Sequence, residues 1–177
     1  MGNRPGRDWK PAAAVLVVVA ALIAVPALLA AAVPTRETTV PADTEITLTA
    51  AGEAPDTIGF AGVAGWSRRP TGDRTTAVLD APGDRVLLVT VVNGVTDPDA
   101  ALSWRRKVLE LQTFPVVFDG GTISTAHGFT GATCRGQDRA GVCAIVVDRN
   151  LVVSLMLSGD AAAADLSPIV HSLRVLP

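Results

Sequence analysis

The first hydrophobic segment of the chain, Pro11 to Val33, contains no charged residue, and the nearest charges are Lys10 and Arg36. At about 1.5 Å per residue it would extend roughly 35 Å as a helix, which exceeds a hydrocarbon core of about 30 Å. Pro26 predicts a kink, because membrane-spanning helices tolerate proline when a local group satisfies the freed carbonyl. The pattern predicts a transmembrane helix over residues 11–33, with the lipid bilayer as a partner.

The charges that flank this segment predict its orientation. Three basic residues and one acidic residue precede it, whereas Arg36 alone follows closely. Because cytoplasmic flanks carry the excess of lysine and arginine, we expect a single-pass plasma-membrane protein with its N-terminus in the cytoplasm. A cleaved signal peptide is the alternative, since Ala30-Ala31-Ala32 offers a small-x-small cleavage site.

The chain therefore divides into four predicted segments. They are a cytoplasmic basic N-terminus (1–10), the transmembrane helix (11–33), a linker (34–45) and an extracytoplasmic domain (46–177). The linker has two prolines, mixed charge and no hydrophobic period, which is typical of a semi-extended spacer. The domain, at about 130 residues, has the ordinary size of a single folding unit.

Within the domain, the pattern predicts an α+β fold with a mainly antiparallel sheet. Val86 to Val92 is nearly all apolar and does not alternate, so it predicts a strand covered on both faces at the centre of the sheet. Shorter β-favouring runs predict earlier strands at Ile46–Thr49, Thr57–Ala61 and Thr75–Leu79. Three consecutive antiparallel strands are predicted at Gly128–Arg135, Val142–Asp148 and Leu151–Ser158, the last two joined by a tight two-residue turn.

A helix is predicted to begin at Asp97-Pro98 and to run to about Thr113, because Asp97 can cap free amides and proline fits the first turn. Pro115 and Gly120-Gly121 are then predicted to end regular structure. One apolar stripe at helical spacing is predicted to face the sheet: Ala101, Trp104, Val108 and Leu111. The basic residues lie largely elsewhere and predict either a docking patch or an ordinary solvated face: Arg105, Arg106 and Lys107.

A second helix is predicted to close the chain, with Asp165 as its N-cap. This places Pro168 within the first turn and turns Ile169, Val170 and the leucines that follow toward the sheet. If the helix instead begins near Asp160, Pro168 must kink it.

The two cysteines flank the segment CRGQDRAGVC symmetrically. A hairpin centred between Asp138 and Arg139 would place Cys134 opposite Cys143. Directly opposed residues in a non-hydrogen-bonded antiparallel pair lie near 4.5 Å between Cα atoms, which is within reach of a disulfide. We therefore predict a structural disulfide. A zinc site would need two further close ligands, and a redox C-x-x-C motif is absent.

Charge and motifs exclude several function classes. Removing Arg4, Arg7, Lys10 and Asp8 from the 15 basic and 17 acidic residues leaves 12 basic and 16 acidic side chains over residues 34–177, a net charge of −4. Nucleic acid is therefore not an expected partner. The chain has no H-E-x-x-H motif, phosphate-binding loop or G-x-S-x-G motif, and neither His127 nor His171 has a catalytic partner at motif spacing. No catalytic residue, metal ligand or cofactor is predicted.

The order of elements resembles the PsbP-like α/β/α sandwich, shared by the photosystem II PsbP protein, a Ran-binding transport factor and actinobacterial LpqN-type lipoproteins. The resemblance rests on the Gly65-Trp66 turn and the closing IVHSLRV segment, and covers about residues 46–177. It implies a binding or assembly role without catalysis. The scarcity of lysine beside abundant alanine, valine and arginine is typical of GC-rich genomes such as those of actinobacteria.

Two functions are compatible with this pattern. The first is a membrane-anchored binding or assembly module of the bacterial cell envelope, whose partner is an envelope or membrane-complex protein. Its candidate interaction residues are Trp66, Arg105 and Arg106, since aromatic and arginine side chains are favoured at binding hot spots. The alternative is a carrier or sensor of an apolar, lipid-like ligand held between sheet and helices.

Overall fold

The computed structural model describes residues 9–32, 37–111 and 114–177, and the side chains of all of these except residues 9–12, 27, 29–32 and 98. The chain divides into two units, residues 1–36 and 37–177. The predictions for residues 1–8, 33–36 and 112–113 lie outside the described residues. They concern the N-terminal segment, the end of the predicted transmembrane helix, the start of the linker and the predicted end of the helix that begins at Asp97-Pro98.

The first unit contains one α-helix, α1 (Trp9–Ala32), with Pro26 inside it. In the described part of the chain, no helix is long and apolar enough to cross a membrane. This finding contradicts the predicted transmembrane helix over residues 11–33 and, with it, the single-pass plasma-membrane localisation.

The second unit is built on an eight-stranded sheet in which all neighbouring strands are antiparallel. From one edge to the other, its strands are β1 (Thr38–Thr39), β4 (Ser67–Arg69), β5 (Thr76–Ala81), β6 (Arg85–Val92), β10 (Leu151–Ser158), β9 (Gly141–Asp148), β8 (Thr130–Gly136) and β7 (Val116–Ser124). A smaller three-stranded sheet has the order β11 (Arg174–Leu176), β3 (Thr57–Phe60) and β2 (Ile46–Thr49). The helices of this unit are α2 (Pro98–Leu111) and α3 (Ala163–His171).

The large sheet separates two hydrophobic clusters. On one face, side chains from its central strands join those of the small sheet and α3 in the larger cluster. On the other face, Ala101 and Leu109 of α2 pack with Ile145, Val147 and Val152 of β9 and β10. The α+β class and the mainly antiparallel sheet are thus confirmed.

The centre of the sheet lies where the sequence predicts it, since β6 and β10 occupy its two middle positions. In β6, however, burial alternates: Leu87 and Val89 are buried, whereas Val86 and Leu88 are only half-buried. The prediction that both faces of this strand are covered is therefore wrong for one face, the face shared with α2.

Two segments predicted to be irregular are part of the sheet. Thr38 and Thr39 pair with Arg68 and Ser67, although the sequence placed them in a spacer that ends at residue 45. Strand β7 continues through Gly120-Gly121, where the register with β8 shifts between Phe118 and Thr122. Gly120 has a φ of 81°, a conformation that costs glycine little, so the two glycines form an irregularity within the strand instead of ending it.

Both helices of the second unit are capped by aspartate. The Asp97 carboxylate accepts hydrogen bonds from the backbone N–H groups of Asp99 (3.0 Å) and Ala100 (3.1 Å), which confirms the predicted start of α2. Asp165 is not the N-cap that the sequence predicts. It lies inside α3 and accepts a hydrogen bond from the N–H of Ala162 at 2.8 Å.

Replacement of Asp97 by alanine should lower the free energy of unfolding by about 1 kcal/mol, because two amides of the first turn lose their acceptor. Chemical denaturation monitored by circular dichroism measures the change. Asp97→Asn keeps an acceptor oxygen and should retain most of the stability. Equal losses in the two variants would contradict the capping role.

Candidate binding groove beside helix α2

The buried face of α2 differs from the predicted one. Ala101, Arg105 and Leu109 point to the sheet, whereas Trp104 is 53% exposed and Leu111 is 75% exposed. Both sets have helical spacing, so the spacing alone did not decide between them. The predicted apolar stripe is therefore mostly a solvent-facing one, and the predicted exposure of Arg105 is wrong.

Arg105 is 7% exposed and contacts the middle of the sheet. Its Nη2 atom donates to the hydroxyls of Thr90 on β6 and Ser154 on β10, while its Nε atom has no acceptor among the described residues. No carboxylate of the described residues forms an ion pair with it. Burial lowers the pKa of Arg105, because the charged form loses its hydration.

The neighbours of Arg105 define the two flanks of the helix. Successive residues of an α-helix are about 100° apart around its axis. Trp104 and Arg106 therefore lie on opposite sides of Arg105, which points to the sheet. Arg106 lines a cavity with Pro115 and with Val117 of β7. Trp104 therefore faces away from β7, toward the β5–β6 half of the sheet, and Leu111 follows two turns later on the same flank.

The sheet surface beneath that flank is apolar and only partly covered. Met156 of β10 packs against the hydrophobic cluster under α2. In the strand register, Leu88 of β6 lies opposite Met156, and Val78 of β5 lies opposite Leu88. These three side chains therefore lie on the same face of the sheet as α2. All three are half-buried. We call the space between this floor and the wall formed by Trp104 and Leu111 the α2 groove.

Arg105 lies at the inner edge of the α2 groove. Its Cζ atom is 5.4 Å from the centroid of the Trp104 ring. Thr90, which it contacts, is two residues from Leu88 on the same face of β6, a separation of about 7 Å along a strand. The groove thus combines an apolar surface with one guanidinium group.

A second depression lies between α3 and the β7–β9 end of the sheet. Its volume is about 220 Å³, and its lining is mainly apolar, with Ile123, Val142 and Leu166 among the side chains. Asp119 lies at this cavity and has a lowered pKa, because its carboxylate accepts hydrogen bonds from the Thr133 hydroxyl and the Gly121 N–H. Pockets for drug-sized ligands usually have volumes of about 300–1,000 Å³, so this cavity is small for a carrier site.

The cysteine hairpin has the predicted geometry. Cys134 on β8 lies directly opposite Cys143 on β9, and a disulfide joins them with a Cα–Cα distance of 4.8 Å. Both cysteines are buried in the cluster under α2. The disulfide therefore fixes part of the surface on which α2 packs.

The three predicted interaction residues do not form one surface. Trp66 is half-buried and packs against the cluster on the α3 side of the sheet, whereas Arg105 and Arg106 belong to the helix on the other side. Of the three, only Arg106 is exposed as predicted.

The two histidines lie in different elements of the second unit. His127 and His171 are both exposed, the first in the turn before β8 and the second at the end of α3. No group of three or more potential metal ligands occurs in these residues.

Sequence reasoning missed the open part of the sheet. One signal could have indicated it: Val86 to Val92 is nearly all apolar and therefore has apolar side chains on both faces of the sheet. The described residues between β6 and β10 contain a single helix, α2, to cover the second face. Helix α2 covers the β9–β10 part of that side and leaves Val78 and Leu88 only half-buried.

The chain was compared with protein-family models, with curated proteins and with solved structures. The resemblance to the PsbP-like group stays a prediction, since none of the three comparisons found a match for this chain.

Proposed function

We propose that this protein is a binding module that takes an apolar segment of a partner protein into the α2 groove. The observation that carries the proposal is the exposure of Trp104 and Leu111 beside the half-buried Val78 and Leu88. Large apolar side chains that are grouped and exposed mark interaction sites more often than scattered ones do, and tryptophan is enriched among binding hot spots.

The shape of the groove favours a protein over a small molecule. Its floor is an open sheet face and its wall is one side of a helix, whereas small ligands usually bind in concave pockets that bury most of their surface. The cavity under α3, at about 220 Å³, is below the usual volume of a drug-sized ligand pocket.

The groove can be tested by photocrosslinking in cells that produce the full-length chain. A benzophenone amino acid at position 111 should crosslink one partner protein, whereas the same group at exposed position 139, in the β8–β9 turn, should not. Trp104→Ala should reduce the yield at position 111 by about 10-fold, as expected when a hot-spot aromatic is removed. Arg139→Ala is the matched control and should leave the yield unchanged.

Three results would count against the proposal. Equal crosslinking from positions 111 and 139 would show that the groove does not select a partner. If the Trp104→Ala variant crosslinks as strongly as the unaltered protein, the Trp104 side chain does not contribute to partner binding. A crosslinked product that contains two copies of this chain would show that the groove binds a second copy and not a different partner protein.

A further inference from the structure

We infer that the cavity under α3 binds a compact ligand that joins an apolar group to an ammonium group, with the ammonium paired to the carboxylate of Asp119. This site is separate from the α2 groove, because Ile123, Val142 and Leu166 of its lining belong to the larger hydrophobic cluster, on the other face of the sheet. The inference therefore does not rest on the proposed function.

The first argument is the shape of the cavity. Its floor is formed by strands β7, β8 and β9, and its roof by α3. The disulfide links β8 to β9 in this floor. Ala163, in the first turn of α3, contributes only a methyl group to the roof and leaves space that a larger side chain would fill. The volume of about 220 Å³ is below that of drug-sized pockets and suits a ligand with a single ring.

The second argument is the apolar interior of the cavity. Leu166 and Val170 of α3 are buried, as is Ala144 of β9. Ile123 of β7 and Val142 of β9 are only half-buried and keep part of their apolar surface accessible. An apolar group in the cavity would remove that surface from water, which favours binding in proportion to the area buried.

The third argument is the carboxylate of Asp119, which is exposed and lines the cavity. Its Oδ1 atom accepts hydrogen bonds from the Thr133 hydroxyl (2.5 Å) and the Gly121 N–H (3.0 Å), whereas no other described residue donates to Oδ2. These hydrogen bonds lower the pKa of Asp119, because they stabilise its charged form. The carboxylate is therefore a charged acceptor with one oxygen open to a ligand.

The irregularity in β7 holds this carboxylate in place. A Cβ atom at position 121 would clash with the Thr133 hydroxyl, so Gly121 allows Asp119 to reach Thr133. Irregularities of this kind re-aim side chains and are frequent beside functional sites. The position of the carboxylate at the cavity is thus built into the strand.

The surrounding charges favour a cation at Asp119. Arg135 of β8 also lowers the pKa of Asp119 through its charge, but in the described part of the chain no ion pair joins the two. The N-terminus of α3 would attract an anion, but the chain supplies one itself: the Asp165 carboxylate accepts a hydrogen bond from the Ala162 N–H at 2.8 Å. An ammonium group is therefore the charged group that fits this cavity.

Two probes of equal size test the inference on the full-length protein. Cyclohexylmethylamine carries a ring and an ammonium group, which is protonated at neutral pH as a lysine side chain is, and cyclohexylmethanol is its uncharged counterpart. Both are titrated while the amide signals of Gly121 and Ala163 are followed by NMR. The amine should shift both signals and bind about 10-fold more tightly than the alcohol, as expected for a hydrogen bond to a charged group.

Matched variants assign the charge preference to one side chain. Asp119→Asn removes the charge, keeps an oxygen that accepts from Thr133 and Gly121, and should bind the two probes equally. Asp138→Asn, the same change at an exposed position in the β8–β9 turn, should keep the preference for the amine.

A second pair of variants tests the location of the site. Ala163→Leu fills the roof of the cavity and should weaken the binding of both probes by about 10-fold. Ala164→Leu is the same change at an exposed neighbour outside the lining and should leave both affinities unchanged.

Four results would contradict the inference. Equal binding of amine and alcohol to the unaltered protein would overturn the ammonium group as the recognised feature. A preference for the amine that survives in Asp119→Asn would overturn its pairing with this carboxylate. Equal affinities in Ala163→Leu and Ala164→Leu would place the ligand outside the cavity. If neither probe shifts the Gly121 or Ala163 signal at millimolar concentration, the cavity is not a binding site.

Discussion

Replacement of Leu155 by alanine should lower the free energy of unfolding by about 2–5 kcal/mol, the usual cost of a leucine-to-alanine change in a well-packed core. Leu155 is fully buried on β10, opposite Val89 of β6 on one side and Ala144 of β9 on the other. The strands around it are fixed by hydrogen bonds on both sides, so the sheet can close little of the cavity that the change leaves. Urea unfolding of both proteins under the same conditions measures the loss.

Leu111→Ala is the matched control for this prediction. Leu111 is 75% exposed, so the same chemical change should alter the free energy of unfolding by no more than about 0.5 kcal/mol. It should nevertheless weaken partner binding, because Leu111 forms part of the groove wall. Similar stability losses in the two variants would show that the burial assigned to these leucines is wrong.

Removal of the disulfide by the double change Cys134→Ala and Cys143→Ala should cost about 2.5–3 kcal/mol, because the bond closes a loop of about ten residues in the unfolded chain. Alanine is preferable to serine here, since both positions are buried and a serine hydroxyl would lack an acceptor. Thermal unfolding of the variant and of the oxidised protein gives the difference.

Reduction and alkylation provide an independent check on the disulfide. Without reductant, an alkylating reagent should label neither cysteine, because the described structure leaves no free thiol. Addition of reductant should lower the stability of the unaltered protein to nearly that of the alanine variant. Labelling of both cysteines without reductant would contradict the disulfide.

Local patterns predicted the local structure of the second unit well. The symmetric placement of glycines and cysteines between β8 and β9 predicted the pairing of Cys134 with Cys143, because a hairpin is determined by its turn. Asp97-Pro98 predicted the start of α2 for a similar reason, since capping depends on adjacent residues. Both features are set within a few residues of chain.

The features that the sequence did not predict depend on distant parts of the chain. The side of α2 that faces the sheet brings Arg105 against the hydroxyls of Thr90 and Ser154, which accept its hydrogen bonds across separations of 15 and 49 residues. The pairing of Thr38 with Arg68 is a contact of the same kind. The transmembrane prediction failed differently: it used the hydropathy of residues 11–33, and no helix in the described part of the chain is both long and apolar enough to cross a membrane.

The irregular strand β7 has a consequence for the behaviour of the protein at high concentration. It forms one edge of the large sheet, and an edge strand with a regular row of free backbone groups invites pairing with another molecule. Here the register shift between Phe118 and Thr122 interrupts that row, and exposed Asp119 places a carboxylate beside it. This edge is therefore protected against sheet-to-sheet aggregation.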